Sequence, residues 1–385
     1  MKRLILSVLC LAFALSTVSV KAAPASDAKA VDMPRFEADM HRAIDSLGIV
    51  GLSVAVVRDN AIVYNGSFGY SQIESWTPMR NHNIMRIASI SKSFVATAIM
   101  TLIDAKKLSL DTPINSILDF PVTNPKYPDV PITIEMMLAH TSSINDSEGY
   151  YISYDCINPE RNPNWRNCYN DYRPGTGYEY CNLNFNLLGI VIEKLSGERF
   201  DHYVERHILR PLDIEGSFCY NSVDSTRCAS LYAWESGKFA HRPEAYRLIE
   251  NLDKYVMGET TVRLSPAGGM KITALDLAKY MLMHINYGKS PLSASRVMSK
   301  RSAKAMQAVH TPGDVKYGLA LEQSDEYVPG ITLTGHTGGA YGLRSAMFFD
   351  PEKKFGFVVI CNGSKISPLV PIQTLLYNHF IKPSK

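Results

Sequence analysis

From Pro34 to Leu47 the apolar residues Phe36, Met40, Ile44 and Leu47 recur every three to four positions, which predicts an amphipathic helix. The period then shortens. GLSVAVVR (51–58) and AIVYNGSF (61–68) are rich in β-branched residues and flank Asp59-Asn60, so they predict two strands of a hairpin. Ser91 to Ala105 is apolar on nearly every face and predicts a buried helix. PITIEMMLAHT (131–141) predicts a strand leading into a helix. NFNLLGIVIEKLSG (184–197) predicts a helix closed by a glycine, and ITALDLAKYMLMHI (272–285) another with Thr273 as N-cap. Strand-like runs return at 317–322, 330–338, 342–350 and 355–363, followed by a closing helix from about Pro368 to Ile381.

Strands at both ends thus bracket a helical middle. The pattern predicts an α/β fold of the α+β type: one mostly antiparallel sheet flanked by helices, with an inserted, mainly helical subdomain. Residues 23–33 read as a tether and 34–385 as one catalytic domain. Its α/β part covers about 34–115 and 260–385, and its helical part about 116–259. Residues 145–173 break every period. They hold six tyrosines and tryptophans among Asn, Pro and Gly, and read either as a lid that shapes a substrate site or as a surface loop.

Composition changes the picture at the N-terminus. Met1-Lys2-Arg3 precedes a 17-residue apolar run, Leu4 to Val20, and then Lys21-Ala22-Ala23, the layout of a secretory signal peptide cut after Ala22. The run is short for a membrane anchor and is dotted with Ser and Thr, so an exported, periplasmic or secreted, chain without a stable membrane span is expected. The leader carries three cations and no acid, so its removal takes the net charge from +3 to zero. No basic excess remains to attract nucleic acid. Six of the seven cysteines survive cleavage, and the close pairs Cys156/Cys168 and Cys219/Cys228 lie in turn-rich sequence where disulfides would clip local loops. Cys181 and Cys361 sit among apolar residues and read as buried thiols. There is no Cys-x-x-Cys and no His-Glu-x-x-His, and neither a metal nor an organic cofactor is expected.

The candidate chemistry begins at MRIASISKSFVATAIM (85–100), which places Ser89 three residues before Lys92 at a helix start. Positions i and i+3 share a helix face. A lysine in a poorly solvated setting loses pKa and becomes able to take a serine proton. Ser26/Lys29 has the same spacing without the buried helix behind it. Two later stretches add groups: Tyr180-Cys181-Asn182 just before a helix, and His336-Thr337-Gly338 at a strand end.

Taken together, Ser-x-x-Lys, Tyr-x-Asn and His-Thr-Gly in this chain order resemble the serine β-lactamase and penicillin-binding-protein superfamily, in particular the branch of class C β-lactamases, D-stereospecific peptidases and esterases. The resemblance runs from about residue 35 to 380. It implies Ser89 as the acylated nucleophile, Lys92 as its base and Tyr180 as a proton carrier. It implies Asn182, His336, Thr337 and Gly338 as substrate-binding residues. The backbone N–H groups of Ser89 and Gly339 would form the oxyanion hole.

Histidine stands where class C β-lactamases keep lysine, a replacement typical of the peptidase and esterase relatives. A histidine is only partly charged near neutrality, so carboxylate binding at this wall is expected to weaken as pH rises. Cys181 in the middle of Tyr-x-Asn is also unusual and reads as packing. The implied function is an exported serine hydrolase acting through an acyl-enzyme on Ser89, D-peptidase/DD-carboxypeptidase-like or esterase-like, on a small peptide, amide or ester, with D-residue and cell-wall peptides first. The alternatives are a β-lactamase and a binding protein that holds a β-lactam or wall peptide without turnover.

Overall fold

The computed structural model describes residues 31–382; the expected leader, and the tether up to residue 30, lie outside them. The first helix, α1 (Met33–Leu47), buries Phe36, Met40, Ile44 and Leu47, the four residues picked out by period. Asp32 caps its start by accepting from the Arg35 N–H, and Gly48 ends it in the left-handed conformation at φ 58°.

Seven strands form one antiparallel sheet: β1 (Ile49–Arg58), β2 (Ala61–Gln72), β3 (Thr77–Pro78), β4 (Glu322–Ser324), β5 (Leu333–Ala340), β6 (Leu343–Asp350) and β7 (Phe355–Ser364). Their spatial order is β3-β2-β1-β7-β6-β5-β4. The N- and C-terminal strands therefore meet at the β1–β7 pair, and residues 79–321 give this sheet no strand. Asp59 and Asn60 both take positive φ, the conformation a two-residue hairpin turn requires.

Alternation along the central strands feeds two cores. Leu52, Val54 and Val56 of β1, with Phe357, Val359 and Cys361 of β7, pack under α1 and the closing helix α5 (Leu369–Phe380). Ala55 and Val57, with Val358 and Ile360, face the other way. There they join a larger core with α2 (Ser91–Asp104), α3 (Asn182–Ser196) and α4 (Ala274–Ile285). Each fully buried aliphatic side chain in this layer stabilises by roughly 1.5–3 kcal/mol.

Helix α2 is buried almost throughout, as its all-round apolar pattern requires. Its Phe94 ring stacks on Tyr280 of α4 at 3.8 Å between centroids, and Thr97 bonds the same tyrosine's hydroxyl at 2.8 Å. One turn further along the same face, Thr101 bonds Tyr203 at 2.7 Å. The helix is thus fixed between the sheet layer and the helical segment. Helix α4 starts at Thr273, which accepts from the Asp276 N–H at 3.0 Å, as expected.

Two expectations change. The run 317–322 is not a strand apart from Glu322: Ala320 sits at φ 60°, and the Gly318 N–H turns back onto Leu321 O. Burial from both sides, not sheet pairing, explains its apolar content. The expected disulfides are not formed either. Cys156, Cys168, Cys219 and Cys228 are free thiols, and the Cys168 thiol donates to the Cys156 carbonyl at 3.4 Å instead. Cys181 and Cys361 are buried thiols. Among the described residues no helix is long and apolar enough to cross a membrane.

Candidate active site

Ser89 lies in a single 3-10 turn, Ala88–Ile90, immediately ahead of α2. Ala88 holds φ 46°, a conformation disfavoured for any residue with a Cβ. The strain sharpens the turn and leaves Ser89 partly exposed at the meeting point of two cavities. The larger, about 690 Å³, is lined by Ser89, Asn182, Tyr150, Tyr151 and Arg86 among others. The smaller, about 230 Å³, is lined by Ser89, Tyr178, Tyr180, Tyr317, Glu322 and His336–Gly339. Tyr150 and Tyr151 thus bring one end of the irregular 145–173 segment to the site wall, while Tyr154, Cys168 and Tyr169 anchor the remainder in the core.

Lys92 is fully buried one helical turn from Ser89. Its Nζ reaches Ser89 Oγ at 3.1 Å, Asn182 Oδ1 at 2.8 Å and the Ala267 carbonyl at 2.9 Å. Burial, resisted by the nearby Asp146 carboxylate, lowers its pKa to about 7. Once neutral, the amine keeps two N–H donors and gains one lone pair. Asn182 Oδ1 and Ala267 O can only accept, so they hold the two donors and the lone pair is left for the Ser89 hydroxyl.

Tyr180 arrives from the segment before α3, and its ring centroid lies 4.9 Å from Lys92 Nζ. Burial pushes its phenol well above the ordinary tyrosine range, with a hydrogen bond to Ser89 opposing the shift. His140, wholly buried, supports this segment by accepting the Cys181 N–H at Nδ1, 3.0 Å away, and lies against the Tyr180 ring at 4.4 Å. His140 is therefore a structural partner.

The third motif lies on β5. Beyond Gly335 this strand has no β4 partner, so residues 336–340 form an open edge facing Ser89. The glycine at 338 answers to a crowd inside the protein: a Cβ there would meet the Ile87 carbonyl oxygen at 2.2 Å. Gly338 thereby lets the turn that carries Ser89 pack directly on β5. Thr337 and Gly339 line the smaller cavity, and Gly339 also lines the larger.

His336 departs from expectation. It is 4% exposed, its Nδ1–H donates to the Thr337 carbonyl, and its Nε2 accepts from the Tyr317 hydroxyl at 2.9 Å. Burial, reinforced by Lys92, lowers its pKa to about 4. It is neutral throughout the physiological range, so the expected loss of its charge with rising pH does not occur there, and its charge is not available to hold a carboxylate.

Sequence reasoning passed over two carboxylates. Asp146 accepts the N–H groups of Asn182 and Leu183, both at 2.9 Å, and the Asn182 side-chain Nδ2 at 2.7 Å. It caps α3 from a different segment, 36 residues upstream, where no local cap pattern points to it. Glu322 lines the smaller cavity with one oxygen buried and unpartnered, and burial raises its pKa to about 7.

Residues 36–375 match the protein family described as Beta-lactamase. Protein flp from Staphylococcus aureus (strain MW2) is 22% identical over 347 residues, covering 86% of this chain and 64% of that protein. Unguisins hydrolase ungD' from Aspergillus campestris is 25% identical over 358 residues, 90% of this chain and 64% of that protein. The chain therefore spans less than two thirds of the length of these curated relatives. An octameric penicillin-binding protein homologue from Pyrococcus abyssi superposes with a TM-score of 0.73 at 26% identity, covering 90% of this chain and 76% of that one. EstCE1, a hydrolase with promiscuous acyltransferase activity, superposes with a TM-score of 0.70 at 22% identity, covering 89% and 97%. With that match extending from α1 into α5 and across all three motif segments, the chain belongs to the Beta-lactamase family.

Proposed function

We propose that the protein is an exported serine hydrolase that forms an acyl-enzyme on Ser89 and cleaves small amides or esters, D-peptidase-like or esterase-like in its site. One observation carries the reading: a dry lysine, its pKa near 7, whose lone pair has only the Ser89 hydroxyl to face. Neutral Lys92 takes the Ser89 proton as Oγ bonds to the substrate carbonyl carbon. The N–H groups of Ser89 and Gly339 receive the oxyanion. Tyr180, which stays a phenol, donates its proton to the leaving nitrogen or oxygen and regains one from Lys92. Water then attacks the ester carbon, Lys92 takes the water's proton, and Ser89 leaves with a proton restored.

Within this reading, the leaving-group side opposes a carboxypeptidase. A C-terminal carboxylate would lie near neutral His336 and the acid Glu322, and the cation Arg344 stands outside that lining, exposed beside Gly339. Esters and internal amides meet no such penalty. The names of two similar proteins, an unguisins hydrolase and a hydrolase with acyltransferase activity, support acyl transfer of this breadth.

The test is turnover of 4-nitrophenyl hexanoate together with intact-protein mass after brief exposure to a penicillin. Ser89→Ala is expected to lose at least about a thousandfold in kcat and every adduct. Full activity in that variant sinks the reading. Export is checked by N-terminal sequencing of the chain recovered outside the cytoplasm, which should begin at Ala23.

A further inference from the structure

The larger cavity carries an unbalanced positive charge. Arg86 and Lys271 both line it. The Arg86 guanidinium donates to the carbonyls of Ala245 at 3.0 Å and Gly268 at 2.8 Å, while its Nε is buried without a partner. Lys271, 5% exposed, donates to the Phe218 carbonyl at 2.6 Å. Among the described residues neither has a carboxylate within ion-pair distance. Arg247 and Arg263 add two more cations at the rim. The one acid in the lining, Glu244, lies 3.8 Å from Arg242 and is engaged there.

A guanidinium stays charged under burial, and a buried cation without a counter-ion is a cost to the fold. Proteins retain such a cost where a ligand supplies the missing charge. Arg86 is three residues from Ser89, with Tyr341 lying over its guanidinium at 5.2 Å as a second wall of the same space. Burial first, then Arg86, lowers the Lys271 pKa to about 7, so near neutrality Arg86 carries the fixed charge and a bound anion would hold Lys271 charged beside it.

The side of the substrate that enters is fixed by the proton path. Tyr180, which protonates the leaving group, lines the smaller cavity, and Asn182 lines the larger. The larger cavity therefore receives the acyl half. We infer that the physiological substrate carries an anionic group, a carboxylate, on its acyl side, held by Arg86 and Lys271 while Ser89 attacks. The inference rests on Ser89 being the acylated residue. Cleavage of a half-ester of a dicarboxylic acid forms the Ser89 Oγ–acyl bond, breaks the bond to the leaving oxygen, and on hydrolysis releases the free diacid.

Three 4-nitrophenyl esters of matched chain length test this with one chromophore: the adipate half-ester, the hexanoate and the 6-aminohexanoate. The wild-type enzyme should favour the anionic ester over the neutral one by about 10- to 100-fold in kcat/KM, as expected for a charge-assisted contact. It should turn over the cationic ester more slowly than either, and the preference should shrink with added salt. Arg86→Gln and, separately, Lys271→Met should each cut the adipate-over-hexanoate preference about tenfold in chains whose circular-dichroism spectrum matches the wild type. If the wild type cleaves hexanoate through Ser89 with equal or poorer use of adipate, the inference is wrong and the hydrolase reading survives. That comparison needs no variant. If no ester is cleaved and no adduct forms on Ser89, both fall.

Discussion

Asp146 and Asn182 form a two-point contact: one carboxylate oxygen accepts both the main-chain N–H of Asn182, at 2.9 Å, and its side-chain Nδ2, at 2.7 Å. The contact fixes which way the Asn182 amide points, so that Oδ1 faces Lys92. Under the proposed mechanism Asp146 is thus a positioning residue for Lys92 as base, although it touches neither Ser89 nor the reacting carbon.

Asp146→Asn should therefore alter the base as well as its scaffold. The Asp146 charge holds the Lys92 pKa up against burial, so removing it lowers that pKa further. The acidic limb of the kcat/KM–pH profile should move to lower pH, with kcat reduced about 10- to 100-fold through a misdirected Asn182. Loss of the helix cap should cost about 1 kcal/mol in denaturant unfolding. A loss of stability with an unmoved pH profile would reduce Asp146 to a cap.

In the proposed mechanism, activity of the wild type requires neutral Lys92. kcat/KM on a neutral ester should rise about tenfold per pH unit below about 7 and level off above it. Glu322 titrates in the same range, so Glu322→Gln is the control. A limb that persists in Glu322→Gln belongs to the lysine, and one that vanishes belongs to the glutamate.

Gly338→Ala adds one methyl where the Ile87 oxygen already lies 2.2 Å from the ideal Cβ position. The turn bearing Ser89 must shift away from β5, parting the proposed nucleophile from the proposed oxyanion donor, the Gly339 N–H. The expected result is a loss of at least about a hundredfold in kcat, with a folded chain by circular dichroism. Wild-type activity in this variant would show that the two segments slide freely.

Acid should unfold the protein through its buried histidines. Burial holds His284 at about 3 and His336 at about 4, below the ordinary 6.5. An unfolded chain takes up these protons below pH 6.5 and the folded one does not, so stability falls as pH drops from 6.5 toward 4. Each histidine contributes on the order of 1.4 kcal/mol per pH unit in that window. His284 has neither nitrogen bonded and lies against Phe349 and Tyr280, so His284→Phe should flatten the fall in Tm between pH 6.5 and 4.5. Parallel Tm–pH curves for variant and wild type would count against this account.

Much of the sheet and the long helices was legible because period and capping are local. Phe36, Met40, Ile44 and Leu47 announce α1, and Thr273 announces α4. The run at 317–321 misled because burial on both sides produces apolar sequence whether or not a strand forms. Ser89, Lys92, Tyr180 and Asn182 were found by short motifs, and the fold brings them within contact of one another. Asp146, Glu322 and Arg86 left no such trace. Asp146 and Arg86 meet partners 36 and 182 positions away, Glu322 owes its raised pKa first to burial, and no local period encodes the lack of a counter-ion.

The seating of α2 against Tyr280 and Tyr203 has a consequence for how the protein ages. A nucleophile on a floppy loop can melt out and recover while the rest of the molecule stands. Here Ser89 and Lys92 travel with a helix buried almost throughout, so the amides of that helix's interior should exchange with solvent deuterium only when the whole molecule opens. Hydrolytic competence and native structure would then share one fate on heating, with no dormant, folded-but-disarmed intermediate between them.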